Sequence, residues 1–510
     1  MFINPIDSRS LYNFVDYTLR SIQPFSDYCL SLAKQFNSIS DSVNLPVTLP
    51  YISEEMKQNF AEMLKQSTYL YRKTAGNLYI YHMLTSIYEK PSFDITEVKI
   101  GDSYCDIVEE VVIRKSFCNL LHFKKMQDNG KNLPKILLVA PMSGHFATLL
   151  RGTVRDMLPY YDVYITDWKN ARDVPLTEGA FDLDEYAHYM ISFMQLLGPD
   201  LHVMAVCQPT VPVLVALAFM STDNDPRAPR SVILLGGPID TNQSPTAVNE
   251  LANTRGDDWF RQNVISIVPS RYAGAMRLVY PGFMQLSGFL SMNPERHMRS
   301  LANAIEDYAN QKRENAFKTI RFYSEYFATM DITAEFYLQT INTVFQQKLL
   351  TKGRYRSRGR DVRLQDIKNT AILAIEGGKD DITGVGQTKS VLNFCNNLPD
   401  DMKKYVLAED VGHFGLFNGT KFRKIILPEI RAFTSGYDKT AKKQITRSGY
   451  KNSEIQQTTH FGYNNSPIKQ ITTSSDKKSA IKQTTNASNK NSSIKKTTVK
   501  KIVRKKEEII

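Results

Sequence analysis

The feature that most constrains this chain is a rhythm. Four runs rich in Val, Ile and Leu, KILLVAP (135–141), DVYITDW (162–168), HVMAVCQ (202–208) and SVILLGG (231–237), alternate with stretches of helical period such as DEYAHYMISFMQLLG. DIVEEVVIRK precedes them, and AILAIEGG (371–378) and KKYVLAED (403–410) follow after a long gap. Runs that are apolar on both faces and separated by helices predict a mainly parallel sheet covered by helices on both sides. Right-handed crossovers then link the parallel strands.

The remaining segments organise around that sheet. Residues 1–100 read as a helical N-terminal extension, with YLYRKTAGNLYIYHMLTSIYEK apolar at helical spacing. Residues 101–240 carry the first part of the core and 366–437 the second. Between them, 241–365 read as an inserted helical cap, placed between the sixth and seventh sheet strands. It would cover a cleft at the carboxyl ends of the strands, or else simply pack on the sheet.

From residue 438 to 510 the composition collapses to Lys, Ser, Thr, Asn and Gln. A short unit recurs every 13 residues: IQQTT at 455, IKQITT at 468, IKQTT at 481 and IKKTT at 494. Such a segment buries too little apolar surface to offset the entropy of ordering, so it is expected to be disordered. This tail holds 17 Lys and Arg against 5 Asp and Glu, which accounts for the whole-chain charge of +12; the rest is balanced at 47 each. A neutral body argues against a nucleic-acid-binding domain. The basic tail either contacts a polyanion or anionic surface or is a solvated tail without a specific partner.

The five cysteines, Cys29, Cys105, Cys118, Cys207 and Cys395, have no close spacing and do not suggest a disulfide framework. No CxxC, HxxxH or HxH occurs, so no metal is expected. MFINPIDSRSLYNFVDYTLR lacks a basic segment followed by an apolar core, and the longest apolar run, Val211–Met220, is about half a bilayer span. These readings point to a cytoplasmic protein without a transmembrane segment.

Ala205-Val206-Cys207-Gln208-Pro209 stands where a strand gives way to a helix. In an α/β-hydrolase this turn presents the nucleophile at a helix N-terminus, which favours an anion. The usual pattern is G-x-S-x-G; here Ala supplies smallness and Pro suits a first helical turn. The elbow is degenerate alone, but two later segments support it. AILAIEGGKDD ends a strand and then offers Asp380, with Asp381 as the second choice. YVLAEDVGHFG ends another and offers His413. Nucleophile, acid and histidine follow in the order this fold uses.

Asp380 would orient His413, and His413 would deprotonate Cys207. The backbone N–H of Gln208 and one from Met142 or Ser143 would receive the oxyanion. His145, beside that loop, would either touch substrate or serve structure.

HVMAVCQPTVPVLVA, EGGKDDITGVGQT, GHFGLFNGTKFR and VYITDWKNARDVPL together resemble the intracellular poly(3-hydroxybutyrate) depolymerases, over nearly all of residues 1 to 435. The resemblance implies an α/β-hydrolase with a Cys-Asp-His triad at Cys207, Asp380 and His413. It implies amorphous storage polyester as substrate and a granule-associated location in the cytoplasm. It implies no cofactor, with water as acceptor or coenzyme A as co-substrate. The repetitive tail departs from the family. Polyhydroxyalkanoate synthases share the fold and triad, but they resemble G-x-C-x-G at the elbow, where this chain has Ala205 and Pro209. A non-enzymatic granule coat or nucleic-acid tether is the other rival, and an intact triad speaks against it.

Overall fold

A computed structural model of the chain describes residues 8–42, 53–126 and 133–437. The repeat segment 438–510, expected to be disordered, lies outside the described residues. Two long helices come first, α1 (Ser8–Ser42) and α2 (Glu54–Thr85). The Ser53 hydroxyl caps α2 by accepting the Met56 N–H at 3.2 Å. Glu54 and Glu55 occupy the first turn, where the helix dipole favours anions.

Strands β1 (Glu97–Ile100), β2 (Ser103–Arg114) and β3 (Cys118–Lys125) follow. The alternating part comprises β4 (Lys135–Val139), α3 (Arg151–Met157), β5 (Asp162–Trp168), α4 (Leu183–Leu197), β6 (Leu201–Val206), α5 (Thr210–Thr222) and β7 (Ser231–Leu235). An insertion then holds α6 (Ala247–Thr254), α7 (Asp257–Asn263), β8 (Ser266–Ile267), β9 (Leu278–Tyr280), α8 (Gly282–Met292), α9 (Pro294–Ala309) and α10 (Arg313–Phe327). It ends with β10 (Ile332–Thr333), α11 (Ala334–Thr340) and the hairpin β11 (Arg356–Ser357) and β12 (Arg360–Asp361). The core resumes with β13 (Ala371–Gly377), α12 (Val391–Phe394), β14 (Lys403–Ala408), α13 (Gly419–Lys421) and α14 (Leu427–Ser435).

The main sheet runs β1-β2-β3-β5-β4-β6-β7-β13-β14. From β5 to β14 every pairing is parallel, and the first three strands are antiparallel. This is an α/β-hydrolase fold. Register aligns Val206 with Leu235 and Leu235 with Ile375, so the loops after β6 and β7 leave the sheet at one level and β13 runs two residues further. Strands β6, β7 and β13 are buried along their whole length, as continuous apolar runs require. Helix α5 is apolar all round and buried from Thr210 to Met220.

Two sequence expectations change here. The stretch read as wholly helical, 1–100, contains β1, and CNLLHFKK forms β3 although it went unread as a strand. Their antiparallel pairing leaves short or polar-interrupted patterns that lack the Val/Ile/Leu signature of the parallel strands. The insertion therefore falls between the seventh and eighth strands of the sheet, not between the sixth and seventh.

The insertion also divides in two. Phe336, Leu338, Ile341 and Val344, in and just after α11, join the main core. Helices α8–α10 instead pack with α2: Ile80 and Met83 share a cluster with Ala304, Tyr323 and Tyr326. At Gly76 α2 lies close to α9, near Ile305 and Tyr308, at a distance where a Cβ would make ordinary contact. The Arg72 Nε donates to the Ala309 carbonyl at 2.8 Å and Lys73 pairs with Glu306 at 2.6 Å. The N-terminal helices and α8–α10 thus form one canopy. Among the described residues, no helix is long and apolar enough to cross a membrane.

Candidate active site

The turn after β6 has the geometry its residues call for. Cys207 has φ +67°, in the left-handed region that a side chain adopts only when the surroundings impose it. Two bonds impose it. The Cys207 N–H donates to the Leu235 carbonyl at 2.7 Å, and its carbonyl accepts the Thr210 N–H at 3.1 Å. Pro209 caps α5 with φ −58°, and its missing N–H leaves no orphan donor. Cys207 is partly exposed, whereas Cys29, Cys105, Cys118 and Cys395 are buried.

The loop after β13 brings the acid. One Asp380 oxygen, Oδ1, accepts the backbone N–H groups of Ile382 and Thr383 at 2.9 and 2.8 Å. The other, Oδ2, lies 2.7 Å from His413 Nδ1, and both side chains are buried. The bond to Oδ2 leaves the other ring nitrogen, Nε2, for Cys207, and Cys207 is a side-chain hydrogen-bond partner of His413. Burial works against a charged imidazole. The Cys207 and Asp380 charges outweigh it and hold His413 well above its usual value. Cys207, Asp380 and His413 are therefore brought together. Asp381 is not part of this group: its Oδ2 accepts from Asn293 Nδ2 at 2.6 Å, at the corner between α8 and α9.

A buried carboxylate that sequence reading missed fixes the acid loop. Glu376, at the end of β13, accepts the N–H groups of Gly386, Thr388 and Lys389 at 2.8, 2.6 and 2.9 Å, and the Tyr405 hydroxyl at 2.8 Å. Its charge inside an otherwise apolar strand run, AILAIEGG, was the available signal. Gly236 was missed too. It has φ +53°, and a Cβ there would stand 3.2 Å from Asp380 Oδ2 and 3.4 Å from His413 Cε1. Gly236 thus makes room for the acid and the histidine, while Gly237 makes room for the Thr210 side chain at the start of α5.

The oxyanion side is as follows. The Gln208 backbone N–H has no acceptor among the described residues, and neither has that of Ser143. The Met142 N–H is engaged at 3.4 Å by Gln208 Oε1. Cys207 cannot contribute its own N–H, which Leu235 takes. His145 is buried, and its Nε2 lies 3.1 Å from the Tyr326 carbonyl. Burial pushes it down to about 4, so the ring is neutral and donates from Nε2. Its backbone bridges Thr329, and the Gly144 carbonyl accepts the Met330 N–H at 2.7 Å. Of its two expected roles, this burial favours the structural one. Among the described residues, no group of three or more His, Cys, Asp and Glu side chains is placed to hold a metal ion.

Comparison with known proteins adds a family. Residues 236–438 match the family described as PHB de-polymerase C-terminus, a span that contains Asp380 and His413 and ends short of Cys207 on its N-terminal side. Among solved structures, a bacterial membrane phospholipase A is similar at 13% identity and TM-score 0.37, covering 65% of this chain and 87% of that one. A thermophilic esterase from Thermogutta terrifontis is similar at 14% identity and TM-score 0.33, covering 65% and 99%. The naproxen esterase of Bacillus subtilis is similar at 12% identity and TM-score 0.33, covering 64% and 91%. The fold assignment rests on strand order and the turn at Cys207, not on these distant likenesses. A search of curated proteins gives no match.

Proposed function

We propose that this chain, residues 236–438 of which match the family described as PHB de-polymerase C-terminus, is a hydrolase that cleaves the ester bonds of amorphous polyhydroxybutyrate through Cys207. One observation carries the reading: a strained, partly exposed cysteine on the turn into α5 shares His413 with a buried Asp380 held at 2.7 Å.

The steps follow from charge. Asp380 keeps the His413 tautomer whose Nε2 faces the thiol. His413 takes the Cys207 proton, and the thiolate adds to the ester carbonyl carbon. The Gln208 N–H, with Ser143 or Met142, donates to the oxygen that becomes negative. Collapse breaks the ester C–O bond, and the alkoxide leaves with the proton from His413. A thioester remains on Cys207. Water then gives a proton to His413 and its hydroxide to the thioester, releasing a 3-hydroxybutyrate end and restoring the thiol. Coenzyme A in place of water would give an acyl thioester by the same route.

An intracellular, granule-associated site of action belongs to this reading, as amorphous storage polymer is its substrate. The test is clearing of an amorphous polyhydroxybutyrate suspension by wild type beside Cys207→Ala. Clearing with release of 3-hydroxybutyrate by wild type alone supports the proposal. Equal clearing by both removes Cys207 from the chemistry. No clearing by wild type, with or without coenzyme A, removes the substrate.

A further inference from the structure

Helix α1 carries two apolar faces and packs chiefly through one. Tyr12, Ser26, Cys29, Ala33 and Ser40 are buried. Tyr12 anchors this face: its hydroxyl donates to Asp331 at 2.5 Å and its ring meets Phe283 edge-on at 5.7 Å. Asp16 and Arg20 lie on a second, polar face, where Arg20 donates to the Tyr272 hydroxyl at 2.9 Å.

Phe14, Tyr17, Phe25 and Tyr28 form a third face, and each is 57–69% exposed. At the helical turn of 100° per residue these four fall within a sector of about 80°, with Ser21 between them. Of the four, only Phe25 meets another ring of the protein, Tyr81 of α2, edge-on at 5.8 Å, and more than half of Phe25 stays exposed.

A stripe of this kind needs an occupant. The four rings offer roughly 500 Å² of exposed side-chain surface. Pairing with a second copy would bury about twice that, below the ~1,200–2,000 Å² of a stable interface. Ser21 leaves a gap in the middle of the seam, and Pro24 removes a backbone hydrogen bond beside it. Neither suits the regular interdigitation of two helices. A continuous, uncharged surface demands no such register. Two bare rings, Phe14 and Phe25, beside two that end in hydroxyls, Tyr17 and Tyr28, also suit a material of methyl groups and ester carbonyls.

We infer that the aromatic stripe of α1 adsorbs the enzyme to the surface of the water-insoluble polyester. The inference rests on the substrate reading given above. The stripe is linked to the site through α8. Tyr12 packs on Phe283 at the start of that helix, and Phe289 in its second half packs on His145, ring centroids 5.5 Å apart. Adsorption by α1 would thus hold the canopy, and the cysteine beside it, near the polymer.

The experiment compares wild type with Phe14→Ser/Tyr17→Ser/Phe25→Ser/Tyr28→Ser. Co-sedimentation with amorphous polyhydroxybutyrate particles reports adsorption, and hydrolysis of soluble p-nitrophenyl butyrate reports the site. Sedimentation velocity reports mass. The expected result is a roughly tenfold or greater loss of particle affinity with soluble-ester hydrolysis unchanged. Unchanged particle affinity overturns the inference. So does a fall in sedimenting mass, which would assign the stripe to a second copy.

If the fourfold variant loses soluble-ester hydrolysis, the pair Phe14→Ser/Tyr17→Ser decides by the same readouts. Wild type that adsorbs to particles but releases no 3-hydroxybutyrate sinks the substrate reading and leaves the stripe standing.

Discussion

The acid loop and the canopy hold their positions in opposite ways. Between Gly377 and Lys389, backbone N–H groups are gathered by two carboxylates, Glu376 and Asp380, so the chain itself is pinned. The canopy is held by side chains reaching across more than 200 residues, as Arg72 does to Ala309 and Tyr69 to Glu306. Pinned backbone suits groups that must meet within a hydrogen bond's length. Packed aromatics, such as the buried Tyr323 on Phe327 and Tyr326 on Phe414, suit a layer assembled from distant parts of the chain. The difference teaches that damage should separate: loop variants should lose rate, and canopy variants should lose stability.

The largest effect should come from Cys207→Ala, which removes the proposed nucleophile and should lower kcat on a soluble ester by roughly 10⁶-fold with the melting temperature almost unmoved. Asp380→Asn comes next. It should lower kcat by about 10⁴-fold, because the amide supports the wrong imidazole tautomer; a circular dichroism melt beside the rate shows whether the fold survived.

Gly236→Ala introduces a Cβ at positive φ against Leu416, Asp380 and His413, the nearest at 2.8 Å. It should reduce both rate and stability, by about 1–3 kcal/mol for the latter in urea unfolding. It marks the boundary between the two classes. Arg72→Met leaves the Ala309 carbonyl and the Ser40 hydroxyl without their buried donor. It should lower stability by about 1–3 kcal/mol while soluble-ester kcat stays at wild type. A large rate loss in Arg72→Met would break the comparison.

The smallest effect is a pH dependence. His413 is held above its ordinary value, so the native state binds the proton more tightly than the unfolded chain. That contribution is fully present below the unfolded value of about 6.5 and fades as pH rises through the raised one. The melting-temperature gap between wild type and His413→Gln should therefore be widest in mild acid and narrow toward alkaline pH. A gap that widens with pH would reverse the sign assigned to this histidine.

The contrast also explains what could be read without coordinates. Cys207, Asp380 and His413 each follow a strand that declares itself by apolar residues, and each loop is local. Their grouping follows once the strands lie side by side. Strand β3 was hidden because Asn119, His122, Lys124 and Lys125 interrupt its apolar pattern; in an antiparallel pair they find cross-strand partners, as His122 does with Glu110 at 2.9 Å.

The union of α2 with α9 and α10 left no local mark, since its contacts join residues far apart in the chain. Gly236 looked like an ordinary strand end. Its role depends on atoms delivered from 380 and 413. The engagement of the Met142 N–H by Gln208 is likewise a matter of three-dimensional meeting, where spacing offered Met142 and Ser143 equally.

The stitch between residues 144–145 and 329–330 has a mechanical consequence. Gly144 and His145 belong to the loop after β4, and Thr329 and Met330 lie just beyond the end of α10. The two stretches are joined as neighbouring strands are, backbone to backbone. Lifting α10 would pull on that loop directly, with no slack side chain between them. Whatever wedges the canopy upward therefore also tugs on the loop that carries Met142 and Ser143, as a lever fixed to the part it moves.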